Sequence, residues 1–187
     1  MNVLLGVTGS VAAKLTPRLA EAIRLHASDL RIVATEKSFF FWQPVEVMSQ
    51  ILRDSDEWRD YQPGMPVLHI ELRKWADVLV LAPLTANTLA KIANGMADNL
   101  LTSVVRAWDL NKPMILAPAM NTHMWYNPAT NKHLTEISQN FPRSTVIPPV
   151  SKVLACGDEG IGAMAPVEKI VQEMLACTTG GSTSCAH

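Results

Sequence analysis

The sequence predicts an α/β fold in which a doubly wound parallel sheet, Rossmann-like or flavodoxin-like, carries helices on both faces in three layers. Short apolar runs alternate with helical patterns along the chain, as they do in βαβ units. The strand runs are continuously apolar, which burial on both faces of a sheet requires. The predicted strands are Val3–Val7, Arg31–Ala34, Val78–Ala82, Met114–Ala117 and Thr145–Ile147. The predicted helices are Leu15–His26, Asn87–Asn94, Asn99–Trp108, Asn127–Gln139 and Val167–Ala176.

Three local patterns refine this order of elements. Pro17 either kinks the first helix or marks its true start, with Ser10–Thr16 as a loop. Met65–His69 is a candidate for a further short strand. Two apolar runs end in the same dipeptide, Ala82-Pro83 and Ala117-Pro118, so neighbouring strands are expected to deliver loops to one edge of the sheet.

The length of 187 residues suits one domain with a substantial core. We expect a single domain over residues 1–177 and a disordered tail over residues 178–187, which are mostly Gly, Ser and Thr. The charged fraction of 18%, together with five Trp and nine Met, favours burial of surface against further copies of the chain.

The charge balance and the cysteines exclude several classes of partner. A net charge of -1 with scattered Lys and Arg argues against nucleic acid or an anionic membrane. No run approaches the about 20 apolar residues of a spanning helix, and Asn2–Val7 is expected to be a strand rather than a signal peptide. Cys156, Cys177 and Cys185 have neither metal-ligand spacing nor a disulfide pattern, which indicates a cytoplasmic setting and no metal.

The segment Pro118–Trp125 is the strongest candidate for a binding site. It follows a predicted buried strand and offers an amide from Asn121, two thioethers and an indole. Asn can hydrogen-bond a carboxylate or an amide, and Met124 gives polarisable surface for a flat or sulfur-bearing ligand. The segment is therefore expected to form one wall of a small-molecule site at the carboxyl end of a parallel strand.

Two further loops follow predicted strands. Gly6–Val11 combines glycines with hydroxyls, which suits either an ordinary tight turn or a phosphate; it matches neither GxGxxG nor a P-loop. Thr85 is a candidate N-cap, and Asn87 and Thr88 add polar atoms beyond what capping needs. A phosphate at this helix start would account for the excess.

His69 lies in an otherwise apolar segment, and two interpretations stay open. It is either a half-buried histidine bonded to backbone or a general base, a role for which His123 competes. Arg73 and Lys74 could attract an acidic substrate or line the outside of a short helix. The acidic stretch Asp54–Glu57 is expected to be solvated surface.

Cys156 lies in a stretch with three glycines within six residues, which predicts a mobile or tightly turned loop. A thiol there could donate a proton or act as a nucleophile. Asp158 and Glu159 could be solvated loop charges, the interpretation preferred for Glu159.

Taken together, these motifs resemble the flavin-containing cysteine decarboxylases over residues 2–175. The resemblance is carried by Gly9-Ser10-Val11, Pro83–Thr88, Pro118–Trp125, Val67–Leu72 and Cys156–Gly160.

The resemblance implies FMN as cofactor, near a subunit contact of a homotrimer or a larger shell of trimers. The residues that would hold the flavin phosphate and ribityl chain are Gly9, Ser10, Val11, Thr85, Ala86, Asn87 and Thr88. Thr35, Phe41 and Ala119 would contact its remaining parts.

The resemblance also implies decarboxylation of a cysteine thiol through oxidation to a thioaldehyde, loss of carbon dioxide and re-reduction. His69 would be the base, Asn121 would hold the substrate carboxylate or amide, and Met124 would pack over the substrate. Cys156 would supply a proton in the last step, which favours the branch that acts on 4'-phosphopantothenoylcysteine in coenzyme A biosynthesis. The family commonly has a second Arg where this chain has Lys74, and Lys is not equivalent to Arg in a bidentate contact.

Three alternatives are retained. Peptidyl-cysteine decarboxylases stop at an enethiol and lack the Cys156 motif. A catalytically idle flavin-binding regulatory subunit would be expected to lose His69 or Cys156. Flavin prenyl transfer uses the same fold without the Pro118–Trp125 motif.

Overall fold

Six parallel strands form the central sheet of the part of the chain that the computed structural model describes, residues 1–59, 61–153 and 159–179. The strands are β1 (Asn2–Val7), β2 (Asp29–Ala34), β3 (Gln50–Leu52), β4 (Val78–Leu84), β5 (Met114–Pro118) and β6 (Ser144–Val146). Their order in the sheet is β3-β2-β1-β4-β5-β6, and every neighbouring pair is parallel. This is the Rossmann order, and without the short edge strand β3 it reduces to the flavodoxin order. The predicted fold class is confirmed.

Helices cover both faces of the sheet. They are α1 (Thr16–Arg24), α2 (Asp54–Glu57), α3 (Leu68–Trp75), α4 (Ala86–Ala93), α5 (Leu100–Arg106), α6 (Thr122–Trp125), α7 (Pro128–Asn140) and α8 (Val167–Thr179). Short 3-10 helices occupy Val11–Leu15, Glu36–Phe40 and Pro44–Glu46.

Alternate residues of β1 divide the core between the two faces. Leu5 packs with α1 and α8, while its neighbour Leu4 packs with α3, α4, α5 and α7. All seven residues of β4 are buried, which explains why its sequence is apolar without alternation. None of the helices described is long and apolar enough to cross a membrane.

Two predictions about local elements are resolved at the start of the chain and around His69. Pro17 lies in the first turn of α1, so it marks the start of the helix, and the residues before it form a 3-10 helix rather than a loop. The predicted strand at Met65–His69 is wrong, because His69 belongs to α3. Leu68, Leu72 and Trp75 fall on one helical face that packs against the core.

After β6, β7 (Val150–Val153) pairs antiparallel with β8 (Glu159–Ala163), which lies in the glycine-rich stretch where the sequence predicted a loop. Glu159 thus opens a strand. Residues 154–158, with Cys156, lie outside the described residues. The predicted tail is helical at its first two residues, because α8 continues to Thr179, and residues 180–187 also lie outside.

Candidate active site at the carboxyl edge of the sheet

The direction in which successive strands are added to the sheet reverses between β1 and β4. The chain runs outward from β1 through β2 to β3, then crosses back to β4 and continues through β5 to β6. In open α/β sheets ligands bind outside the carboxyl ends of the strands at such a switch point. The loops after β1 and β4 carry Gly9–Val11 and Thr85–Thr88, so the fold brings these two predicted segments to one edge.

Thr8, a residue that its sequence pattern does not single out, joins the two loops. Its buried hydroxyl donates to the carbonyl oxygen of Pro83 at 2.7 Å and accepts the backbone N–H of Thr85 at 2.9 Å. Its own N–H donates to the same Pro83 carbonyl at 3.2 Å. The available signal was a hydroxyl residue at the end of a buried strand, immediately before a glycine.

The loop after β1 is held against the segment after β2. A Cβ atom added to Gly9 would lie 2.6 Å from the Cβ of Lys37, so a glycine is required there by packing within the chain. Ser10 caps the following 3-10 helix by accepting the N–H of Ala12 at 3.3 Å. Thr35 donates its N–H to the Val7 carbonyl at 3.0 Å, which places it beside this loop.

Thr85 is the N-cap of α4, as predicted. Its hydroxyl accepts the N–H of Thr88 at 3.3 Å and lies 3.2 Å from the Thr88 hydroxyl. The first amides of a helix have no partner within the helix. Because the N–H of Thr88 already donates to the Thr85 hydroxyl, the N–H groups of Ala86 and Asn87 are the donors that this helix start offers to an anion.

The segment after β5 reaches the same edge. The N–H of Ala119 donates to the Leu84 carbonyl at 2.9 Å, which extends β5 alongside β4. Asn121 caps α6, because its side-chain oxygen accepts the N–H of His123 at 2.9 Å. Met124 is exposed on that short helix. Asn121 therefore has a local structural role in addition to the predicted contact with substrate.

Strand β8 packs on this segment. The N–H of Met120 donates to the carbonyl oxygen of Gly162 at 3.0 Å. A Cβ atom at Gly162 would lie 2.0 Å from the Met120 carbonyl oxygen, and one at Gly160 would lie 2.3 Å from the hydroxyl of Thr122. These two glycines therefore permit close contact between β8 and the Asn121 segment rather than a mobile loop.

His69 has a buried acidic partner. Its Nδ1 lies 2.6 Å from Oε1 of Glu57, and the side chains of His69 and Glu57 are 23% and 5% exposed. The prediction of a solvated acidic stretch at Asp54–Glu57 is wrong for Glu57, and Asp54 accepts the N–H of Leu100 at 3.0 Å. The reason is that α2 packs against α3 and α5, which its local sequence gives no sign of.

The side chains of Lys74 and Phe41 are both exposed to solvent. Lys74 forms an exposed ion pair with Glu71 at 2.9 Å, on the outside of α3. Phe41, also exposed, follows the 3-10 helix after β2. Their contacts with substrate and cofactor stay predictions, as does every role assigned to Cys156.

The predicted residues form two groups. Ser10, Thr85 and Ala119 converge on the switch-point edge, with Asn121 following Ala119. His69 lies in a different environment, because α3 packs against α2 and α5, whereas α6 packs against α7 and β8.

Helix-start amides at the switch-point edge of such a sheet are typical of proteins that bind phosphate-bearing ligands. Comparison with known proteins identifies the family. Residues 1–179 match the family described as Flavoprotein. Phosphopantothenoylcysteine decarboxylase of Mus musculus is 48% identical over 94% of this chain and 86% of its own length. The enzyme of the same name from Oryza sativa subsp. japonica is 51% identical over 94% of this chain and 80% of its own.

Solved structures of similar proteins point to the same family. A mutant of PPC decarboxylase complexed with pantothenoylaminoethenethiol is similar with a TM-score of 0.92 and 46% identity, over 96% of this chain and 98% of that one. The FMN binding protein AtHal3 is similar with a TM-score of 0.87 and 46% identity, over 97% of this chain and 98% of that one. The chain belongs to the flavoprotein family, and the resemblance inferred from its motifs is confirmed.

Proposed function

We propose that the chain is an FMN-dependent decarboxylase that converts 4'-phosphopantothenoylcysteine to 4'-phosphopantetheine in coenzyme A biosynthesis. The observation that carries the proposal is the switch-point edge, where Ser10, Thr85 and Ala119 converge in a chain about half identical to decarboxylases of that substrate.

The described residues fit FMN. The helix start at Ala86 and Asn87 offers amides to the flavin phosphate, and Thr8 holds this start beside the loop that carries Ser10. The other expected contacts are Gly9, Val11, Thr35, Phe41, Thr88 and Ala119. When bound, FMN supplies two-electron chemistry: it takes up a hydride and later returns it.

The substrate explains why redox chemistry is needed. Its carboxylate sits next to an amide-bearing carbon, where no electron sink exists for the electrons left by carbon dioxide. Oxidation of the CH2-SH group to a thioaldehyde creates that sink, and loss of carbon dioxide then gives an enethiol. Pantothenoylaminoethenethiol, the compound in the complex of the similar PPC decarboxylase mutant, carries such an enethiol group.

Each candidate residue has a distinct role in this proposal. His69 takes a proton in the oxidation, Asn121 holds the substrate carboxylate or amide, and Met124 packs over the substrate. Lys74 attracts the acidic substrate. Cys156 donates the proton that completes the saturated thiol.

We further propose that the enzyme is a cytoplasmic homotrimer with the flavin near the subunit contact. Large apolar side chains on the connection from β2 to β3, those of Phe40, Val45 and Met48, are strongly exposed in the single chain. Apolar surface of this kind supports association with further copies.

The test is mass spectrometry of 4'-phosphopantothenoylcysteine incubated with the purified, FMN-loaded chain. We expect loss of carbon dioxide and a saturated thiol product. The matched variant His69→Asn should keep FMN and lose turnover. A wild-type protein that binds FMN without consuming the substrate would contradict the proposal and favour the idle regulatory subunit. An accumulated enethiol would favour a peptidyl-cysteine decarboxylase.

A further inference from the structure

Glu57 is a buried carboxylate that the proposed function does not use. Its side chain is 5% exposed, and Oε1 lies 2.6 Å from Nδ1 of His69. Among the residues that the structure describes, no Lys or Arg forms an ion pair with it; the nearby Arg59 pairs with Asp56 instead. Because a buried carboxylate is costly without hydrogen bonds, the contact with His69 is what stabilises Glu57 among the described residues.

We propose that Glu57 is a positioning residue that fixes the tautomer and orientation of His69, an inference that rests on the proposed function. In this proposal Glu57 is ionised and can only accept hydrogen bonds, so Nδ1 of His69 carries the proton in the contact. The neutral ring then has its lone pair on Nε2. That nitrogen is the one that can act as base, and Glu57 holds the ring so that the other nitrogen cannot.

The carboxylate also stabilises the ring after proton transfer. When the S–H bond of the substrate thiol breaks, its electron pair stays on sulfur and the proton forms a bond to Nε2. The imidazolium then keeps its Nδ1 proton directed at Glu57, which stays ionised, and the charge of the pair changes from minus one to zero. The rise in positive charge on His69 therefore occurs next to a fixed negative charge.

A purely structural role for Glu57 is less consistent with the way α2 is held. The N-terminus of α2 is capped by Asp56, whose side-chain carboxylate accepts the N–H of Arg53 at 2.8 Å. Asp54 attaches the helix to α5 through the N–H of Leu100 at 3.0 Å. Neither contact involves Glu57, so we expect α2 to keep its position when Glu57 is replaced.

The experiment compares Glu57→Gln with Glu173→Gln in the FMN-loaded enzyme. Both changes remove one negative charge at constant shape, and Glu173 lies on α8, where it pairs with Lys169 at 2.7 Å. We expect Glu57→Gln to lower kcat by about 10- to 100-fold, the range typical of a residue that orients a functional histidine through its second ring nitrogen. KM should change by less than about threefold, since the substrate contacts persist. Glu173→Gln should keep the wild-type kcat.

A second measurement does not depend on turnover. Nitrogen NMR of 15N-histidine-labelled protein, recorded where the ring is neutral and assigned with His69→Asn, reports which ring nitrogen carries the proton. We expect Nδ1–H in the wild type and a mixture of tautomers in Glu57→Gln. A wild-type ring protonated on Nε2, or a Glu57→Gln variant with wild-type kcat, overturns the inference. If the wild type does not decarboxylate the substrate, the proposed function fails, and the tautomer still decides the role of Glu57.

Discussion

Replacing Thr8 with Val should destabilise the protein, because this side chain joins the two loops of the switch point. Val has the same shape and suits the end of a strand, so the change removes only the hydroxyl. The N–H of Thr85 then loses its acceptor at a partly buried position, whereas the Pro83 carbonyl keeps the N–H of residue 8 at 3.2 Å. The two hydrogen bonds of the Thr8 hydroxyl contribute about 0.5–1.5 kcal/mol each, so we expect the free energy of unfolding to fall by about 2 kcal/mol.

Thr16→Val is the matched control. Thr8 and Thr16 are both 1% exposed, but the Thr16 hydroxyl has no hydrogen-bond partner among the described residues. Its removal should leave stability unchanged or raise it by up to about 1 kcal/mol, because the desolvation cost of an unpaired hydroxyl disappears.

Urea unfolding of both variants, without FMN and at equal protein concentration, measures the difference. For a domain of this size, about 2 kcal/mol corresponds to a fall in Tm of about 4–8 °C. FMN should also bind more weakly to Thr8→Val, since the helix start at Thr85 is no longer fixed to the loop after β1. Equal stability of the two variants would refute the assigned role of the Thr8 hydroxyl.

Three further outcomes follow from the site. Gly162→Ala should lower the free energy of unfolding by about 1–3 kcal/mol in urea, because the new Cβ would lie 2.0 Å from the Met120 carbonyl oxygen. The control Gly64→Ala should lower it by less, because the space around Gly64 is open. Equal costs would contradict the packing argument. Asn121→Ala should lower kcat/KM while flavin absorbance persists, since it removes the proposed substrate contact and the α6 cap; unchanged kcat/KM would remove Asn121 from the proposed site. Cys156→Ser should accumulate decarboxylated enethiol with reduced flavin, as seen by mass and absorbance spectra, and a saturated thiol would exclude Cys156 as proton donor.

Local patterns predicted the elements whose stabilising contacts are near in sequence. Thr85 is an example: the N-cap hydroxyl and the N–H that it accepts are three residues apart, so the motif itself contains the contact. The buried strands are another, because burial on both faces leaves an uninterrupted apolar run such as that of β4.

Contacts between distant segments were not predictable in the same way. The hydroxyl of Thr8 and the N–H of Thr85 are 77 residues apart, and Glu57 and His69 belong to separate helices. Glu57 resembles a solvated acid because its neighbours in sequence are acidic, while its burial comes from α2 packing on α3 and α5. The glycines of β8 suggested a loop for a similar reason, since the surface that requires them lies some 40 residues earlier, at Met120 and Thr122.

The sequence by itself therefore determined the alternation of strands and helices, the Thr85 cap and the loops that end at one edge of the sheet. These depend on periodicity and on hydrogen bonds within a turn, which the order of residues encodes directly. Only the tertiary structure decided that Thr8 links the loops of β1 and β4 and that a buried Glu57 faces His69. Those contacts exist only once helices pack against the sheet, because packing alone removes the side chains from water and brings distant segments within hydrogen-bond distance.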